Sequence, residues 1–193
     1  MESFYTIQGE GFYQGHAAYF IRLGGCDVGC VWCDVKESWD AEKHAHRSVN
    51  DLVEEVQQNN ASLVVITGGE PLLYNLAPLT TALHAVNIRT NIETSGSSLL
   101  SGSWNWICVS PKKFKAPIPS VLSKADELKV IVFNKHDLAW AEQHAALVSG
   151  RCRLYLQPEW SKSDEMLPLI IGYIKQNPKW ELSVQIHKYI NVP

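Results

Sequence analysis

Three of the five cysteines crowd into eight positions, Cys26-Asp27-Val28-Gly29-Cys30-Val31-Trp32-Cys33, a C-x3-C-x2-C spacing. Thiolates are the preferred protein ligands of iron–sulfur clusters. Three of them in one loop can hold three irons of a four-iron cubane and leave the fourth iron without a protein ligand. An open iron is what a substrate or cofactor needs to bind the cluster directly. Gly25 and Gly29 relieve the steric limits on a backbone wrapped round such a cluster. The competing reading is a structural zinc site with His44 or His46 as the fourth ligand. Zinc sites usually draw paired ligands from separate knuckles, and this loop lacks that form. Cys108 and Cys152 stand alone in apolar, strand-like runs and read as buried small apolar residues. An odd cysteine count with three clustered points to a metal site in a reducing compartment rather than to a disulfide framework.

A second set of chemistry-bearing residues shares a placement. Gly68-Gly69-Glu70-Pro71 follows the run Val64-Val65-Ile66-Thr67, and Glu93-Thr94-Ser95-Gly96 ends the next run. Ser110-Pro111-Lys112 follows Ile107-Cys108-Val109, and Gln157-Pro158 follows Leu154-Tyr155-Leu156. Gln185, His187 and Lys188 close the last run. Runs rich in Val, Ile, Tyr and Trp read as strands. The composition predicts them at Ala17–Leu23, Leu63–Thr67, Ile88–Glu93, Trp104–Val109, Glu127–Phe133, Arg153–Leu156 and Leu182–Gln185. Ser48 caps a predicted helix through Gln58, with Asp51 in the reciprocal position and Leu52, Val53 and Val56 on one face. Leu76–Val86, His136–Leu147 and Ser163–Gln176 carry similar helical spacing. Strand–helix alternation argues for a parallel sheet with helices outside. A full eight-unit barrel takes about 250 residues. This chain has 193, and Ser95–Ser103 and Lys112–Lys124 lack helical periodicity. The expectation is a single α/β domain over residues 1–193, an incomplete barrel of about six or seven mainly parallel strands. Strand C-termini in such folds share one mouth, so the motifs converge there.

Hydrophobic residues make up 46% and charged residues 19%, a globular balance, and the net charge is −3 with no basic block. That excludes an electrostatic nucleic-acid surface and leaves a small-molecule substrate. The N-terminus has no basic region followed by an apolar core, and no apolar run is long enough to span a bilayer. A soluble, cytoplasmic protein is expected.

The cysteine spacing, with an aromatic residue just before the last Cys, resembles the radical S-adenosylmethionine (SAM) superfamily signature. Gly68-Gly69-Glu70-Pro71 resembles that superfamily's GGEP motif on the following strand end. Phe4 to Gly11 (Phe-Tyr-Thr-Ile-Gln-Gly-Glu-Gly), Arg22, Ser110-Pro111-Lys112, Gln185-Ile186-His187-Lys188-Tyr189 and a terminal Pro193 narrow the likeness. Together they resemble the 7-carboxy-7-deazaguanine synthase family over the whole chain. That resemblance implies a lyase that contracts the ring of 6-carboxy-5,6,7,8-tetrahydropterin and releases ammonia, on the route to queuosine and other deazapurines. It implies a [4Fe-4S] cluster on Cys26, Cys30 and Cys33, with catalysis by the SAM-derived radical. It places SAM against Trp32, Cys33, Asp34, Gly69, Glu70, Ser110, Pro111, Lys112, Gln157, Pro158, Glu159 and Trp160. It places the pterin against Ile7, Gln8, Gly9, Glu10, Arg22, Thr67, Glu93, His187 and Pro193. A homodimer and an electron donor such as flavodoxin or ferredoxin are implied as well.

Residue by residue, plainer readings stay open. Arg22 can clamp a substrate carboxylate through its bidentate guanidinium or make a surface ion pair. Gln8 and Glu10 can line a pocket or form a turn with the flanking glycines. His187 can touch substrate or serve structure, and Glu93 can be a ligand or a base behind one. In one place the chain departs from the resemblance. A threonine that binds Mg²⁺ two residues after the third cysteine is replaced by Val35, which has no side-chain oxygen to offer. The expectation is an enzyme that depends only weakly on magnesium, or holds it through substrate and water alone, with Asp34 as a substitute ligand. Two other classes compete: an activase that makes a glycyl radical on a partner protein, and a passive iron–sulfur or zinc module.

Overall fold

The computed structural model describes residues 1–193. Eight strands form one sheet in sequence order: β1 (Glu2–Ile7), β2 (Ala17–Leu23), β3 (Leu63–Gly68), β4 (Arg89–Thr94), β5 (Trp106–Val109), β6 (Glu127–Val132), β7 (Arg153–Pro158) and β8 (Trp180–Leu182). β1 pairs antiparallel with β2, and every later neighbour is parallel. β1 and β8 are the sheet's two edges, so the barrel is incomplete, as the chain length and the segments without helical periodicity predict. The helices are α1 (Val49–Gln58), α2 (Ala77–Ala85), α3 (Pro119–Leu122), α4 (His136–Ala145), α5 (Ser163–Gln176) and α6 (Ile186–Ile190).

The two faces of the sheet have different chemistry, and strand alternation sets it. In β6, Leu128, Val130 and Val132 face the helices, while Glu127, Lys129 and Ile131 face inward. Tyr19 and Ile21 of β2, Val64 and Ile66 of β3, Ile107 and Val109 of β5 and Leu156 of β7 join the outer set. Leu52, Val53 and Val56 of α1 and Leu79 and Leu83 of α2 pack on them, as do Leu138 of α4 and Ile170 of α5. Each such side chain contributes about 1.5–3 kcal/mol on full burial. The inward face has an apolar base, where Tyr13, Ala18, Leu63 and Val65 cluster. Above that base polar and charged residues stand among a few apolar ones such as Phe20 and Ile131. Ser48 caps α1 as its spacing predicts, its Oγ accepting the Asp51 N–H at 3.1 Å.

Two differences from the sequence reading have physical causes. β1 adds an eighth strand; it is an edge strand with no fully buried residue, so it carries no apolar run to betray it. The last strand is Trp180–Leu182, earlier than expected, and Gln185, His187 and Lys188 do not extend it. They belong to the start and body of α6, whose end is turned by Asn191 at φ 55°. The segment Lys112–Lys124 holds one helical turn, α3, in place of a full crossover helix.

Candidate active site

A cavity of about 270 Å³ opens at the C-terminal ends of the parallel strands. Cys26, Cys30 and Cys33 line it from the connection after β2. That connection is tied down by the backbone. Gly25 N–H donates to the Ser38 carbonyl at 2.6 Å and Cys26 N–H to the Trp39 carbonyl at 3.2 Å. The turn after β3 is fastened to the same loop. Gly69 N–H donates to the Leu23 carbonyl at 3.0 Å and Glu70 N–H to the Gly25 carbonyl at 2.8 Å. The approach is so close that a Cβ on Gly69 would lie 2.2 Å from the Gly25 oxygen. This explains why glycine stands at that strand end.

Glu70 does not reach the cavity. Its buried carboxylate accepts the Leu72 N–H at 3.0 Å, the Ser95 N–H at 2.9 Å and the hydroxyls of Thr94 and Ser95. It ties the turn after β3 to the end of β4, and Gly69 alone presents that turn to the cavity wall. Pro111 also lies off the wall; its neighbours Ser110 and Lys112 are on it. Glu70 and Pro111 stand behind the wall that Gly69, Ser110 and Lys112 form. Trp32, Asp34, Gln157, Pro158, Glu159 and Trp160 all line the cavity. Lys112 Nζ donates to the Ser110 carbonyl at 2.7 Å and lies 5.8 Å from the centre of the Trp32 ring. Burial holds its pKa below the ordinary value.

The residues expected to face a substrate meet on the cavity's inner wall. Ile7 enters from the end of β1, Gln8, Gly9 and Glu10 from the β1–β2 connection, Arg22 from β2, Thr67 from β3 and Glu93 from β4. His187 and Pro193 close the wall from the C-terminal segment. Ile186 N–H donates to the Gly9 carbonyl at 3.0 Å, and a Cβ on Gly9 would lie 2.1 Å from His187 Nδ1. Arg22 lines the cavity, and its Nε sits 3.3 Å from Glu2 Oε1. Val35 is also on the wall, and Asp34 beside it pairs with Lys188 at 2.8 Å.

One functional candidate escaped the sequence reading. Lys129, at the centre of β6, has a side chain only 3% exposed and lines the cavity. Its ammonium contacts Glu10 Oε2 and lies 3.2 Å from Glu93 Oε2. Gln185 Nε2 donates to Glu10 Oε1 at 2.8 Å, and Gln8 Nε2 to Glu93 Oε1 at 2.8 Å. Burial pushes the Glu10 carboxyl up, but Lys129 overcomes it and holds the group at about 2. The signal was present: a charged residue at every second position of Glu127-Leu128-Lys129-Val130 marks a polar inner face.

The donor set suits an iron–sulfur cluster. Burial pushes the Cys30 thiol up to about 11, against the pull of Lys112 and helped by Cys33 and Cys26. A buried thiol of this kind ionises readily only with a cationic metal beside it. No three His, Cys, Asp or Glu side chains converge on a point fit for one ion. His44, the alternative zinc ligand, has its Nε2 within 2.9 Å of the Glu37 carbonyl. Trp39, also on the wall, has a buried indole N–H without a partner, a donor left for a bound molecule.

Three cysteines on the first parallel strand end, a glycine turn on the second and an incomplete barrel around them define a radical SAM protein, and residues 20–107 match the Radical SAM superfamily. A 7-carboxy-7-deazaguanine synthase of Flavobacterium psychrophilum is 53% identical over 100% of this chain and 91% of its own. One of Escherichia coli K12 is 38% identical over 99% of this chain and 97% of its own. The crystal structure of QueE from Escherichia coli superposes with a TM-score of 0.85 at 34% identity, covering 95% of this chain and 92% of that one. The chain belongs to the 7-carboxy-7-deazaguanine synthase family.

Proposed function

We propose that the protein converts 6-carboxy-5,6,7,8-tetrahydropterin to 7-carboxy-7-deazaguanine with release of ammonia, as a radical SAM lyase of deazapurine biosynthesis. One observation carries the reading: the cysteine loop and an acceptor-rich inner wall share a single cavity. When bound, the cluster and SAM supply a 5′-deoxyadenosyl radical able to take hydrogen from C6 of the pterin. The chain's own groups bind, orient and shield. Arg22 offers a planar guanidinium to the substrate carboxylate. The C-terminal carboxylate of Pro193 accepts from the guanidine-like edge of the pterin, and Glu10 and Glu93 add further acceptors. Gly69, Ser110 and Gln157 border SAM, and Trp32 and Trp160 exclude water from the reacting groups. An activase would instead need a protein-docking surface, and the full-length relatives are named as small-molecule synthases.

The protein works as a homodimer in the cytoplasm and takes electrons from a flavodoxin or ferredoxin. Magnesium is not bound by Val35, and Asp34 is already paired with Lys188. Chelation of Mg²⁺ is therefore expected to lower turnover by no more than about threefold. A deeper loss, restored by added Mg²⁺, would show that substrate, water and Asp34 hold the ion tightly without a threonine. The functional reading itself is tested by mass spectrometry of an anaerobic reaction with SAM, dithionite and the carboxytetrahydropterin. Formation of 7-carboxy-7-deazaguanine is expected. SAM cleavage without a deazapurine would keep the radical SAM class and reject the substrate.

A further inference from the structure

Glu10 and Glu93 enter the cavity from different elements, the β1–β2 connection and β4, yet both bind one nitrogen. Two carboxylates that close, away from water, cannot both stay ionised without a cation between them. Lys129 is that cation. It also holds geometry, because each carboxylate gives one oxygen to Lys129 and the other to a glutamine. Other titratable groups face it from several sides: Glu127 on β6, Cys108 on β5, Lys112 beyond β5 and His187 on α6. Glu127 is turned to the base, where it accepts the Trp106 indole N–H at 2.8 Å and the Phe12 N–H at 3.3 Å. Burial pushes the Cys108 thiol well up, so it brings no charge. Two carboxylates share one ammonium in this cluster, so acceptors outnumber the cation that holds them. Ionised carboxylates keep lone pairs for further donors. The ligand they select presents N–H groups.

We propose that Lys129 is a positioning residue for the substrate: it holds Glu10 and Glu93 side by side, both aimed into the cavity as acceptors for the N–H groups of the pterin ring. The proposal rests on the pterin reading above. A structural ion pair would predict loss of fold alone; a positioning role predicts a selective loss of substrate handling.

The test is Lys129→Met in the cluster-loaded enzyme, read three ways. SAM cleavage by dithionite without substrate reports the fold, the cluster and SAM binding. It is expected to stay within about twofold of wild type, while the substrate KM rises about 30-fold. The acid limb of kcat/KM is expected to move up by about two pH units, because one of two unshielded carboxylates takes up a proton. A Met variant with wild-type KM and pH profile overturns the proposal. So does one that loses SAM cleavage and turnover in equal proportion. Should Lys129→Met fail to load its cluster, Lys129→Met/Glu10→Gln removes one negative charge with the positive one. It is expected to show a raised KM with an acid limb close to that of wild type. An unchanged KM, or failure to take up the cluster again, assigns Lys129 to structure alone. Wild-type enzyme that cleaves SAM but makes no deazapurine overturns the pterin reading, and this proposal with it. Wild-type turnover with an indifferent Lys129 overturns this proposal only.

Discussion

The mouth and the inner wall of the cavity are built in opposite ways. At the mouth, the cysteine loop is held through backbone hydrogen bonds to Ser38, Trp39 and the turn after β3. Its functional side chains have few partners of their own: the thiols are free, and Val31 between them is 68% exposed. On the inner wall the side chains hold one another. Glu10, Glu93, Lys129, Gln8 and Gln185 form a network among themselves. The difference teaches which part of the site the chain organises by itself. The mouth leaves its final arrangement to the metal that binds it, whereas the wall is preorganised for the substrate.

If that contrast is right, damage at the mouth should abolish chemistry, and damage at the wall should weaken only substrate use. The largest effect is expected from Cys30→Ala. Loss of one of three thiolates should remove the broad brown absorption of the cluster and lower product formation at least about 1000-fold. A variant that kept both would break the assignment of the loop. Gly69→Ala comes next. Its methyl would meet the Gly25 carbonyl, which is backbone and cannot rotate aside. Overpacking of this kind costs about 1–3 kcal/mol. The displaced loop should lower cluster occupancy and SAM cleavage together, by about tenfold. Titration of iron content alongside 5′-deoxyadenosine formation checks whether the two fall in step.

The same contrast decides what could be read from the sequence. The mouth was legible because its ligands are neighbours along the chain, and metal chemistry restricts their type and spacing. The wall was only partly legible. Gln8, Glu10 and Glu93 were singled out through family resemblance, but the network that joins them spans long separations. Lys129 lies 119 residues from Glu10, and Gln185 lies 175 from it. Only the fold brings them together. The polar alternation of β6 pointed inward, yet nothing local told whether Lys129 met a carboxylate or solvent. Glu70 shows the opposite limit of a local motif. Its motif marked it as a ligand, while four donors from Leu72, Thr94 and Ser95 turn it into a brace for the turn. β1 escaped because an edge strand with one partner needs no continuous apolar run.

Gly9→Ala separates the two regions from the wall side. Its methyl would strike the root of the His187 side chain, whose Cβ, Cγ and Nδ1 all lie within 2.8 Å of the added carbon. α6 must move outward, and the C-terminal Pro193 moves with it. The substrate KM should rise about tenfold with SAM cleavage unchanged within about twofold. Equal losses of both activities would mean that α6 supports the mouth as well, and the contrast would fail.

The smallest expected effect is on acid stability, and its sign follows from Glu10. In the folded protein Lys129 holds this carboxyl at about 2, below its ordinary value of 4.5. A depressed carboxylate stabilises the fold fully above the unfolded value, and that contribution is lost as pH falls through the folded value. Glu127 works with the opposite sign, because burial raises its pKa and its penalty is relieved in acid. Comparing wild type with Glu10→Gln cancels Glu127, which both proteins share. Urea unfolding should therefore show a stability gap that is flat from neutral pH to about pH 5 and shrinks steadily toward about pH 3. A gap that stays constant to about pH 3 would mean that Glu10 is not held ionised in the fold. The wall would then lack the preorganised charge that distinguishes it from the mouth.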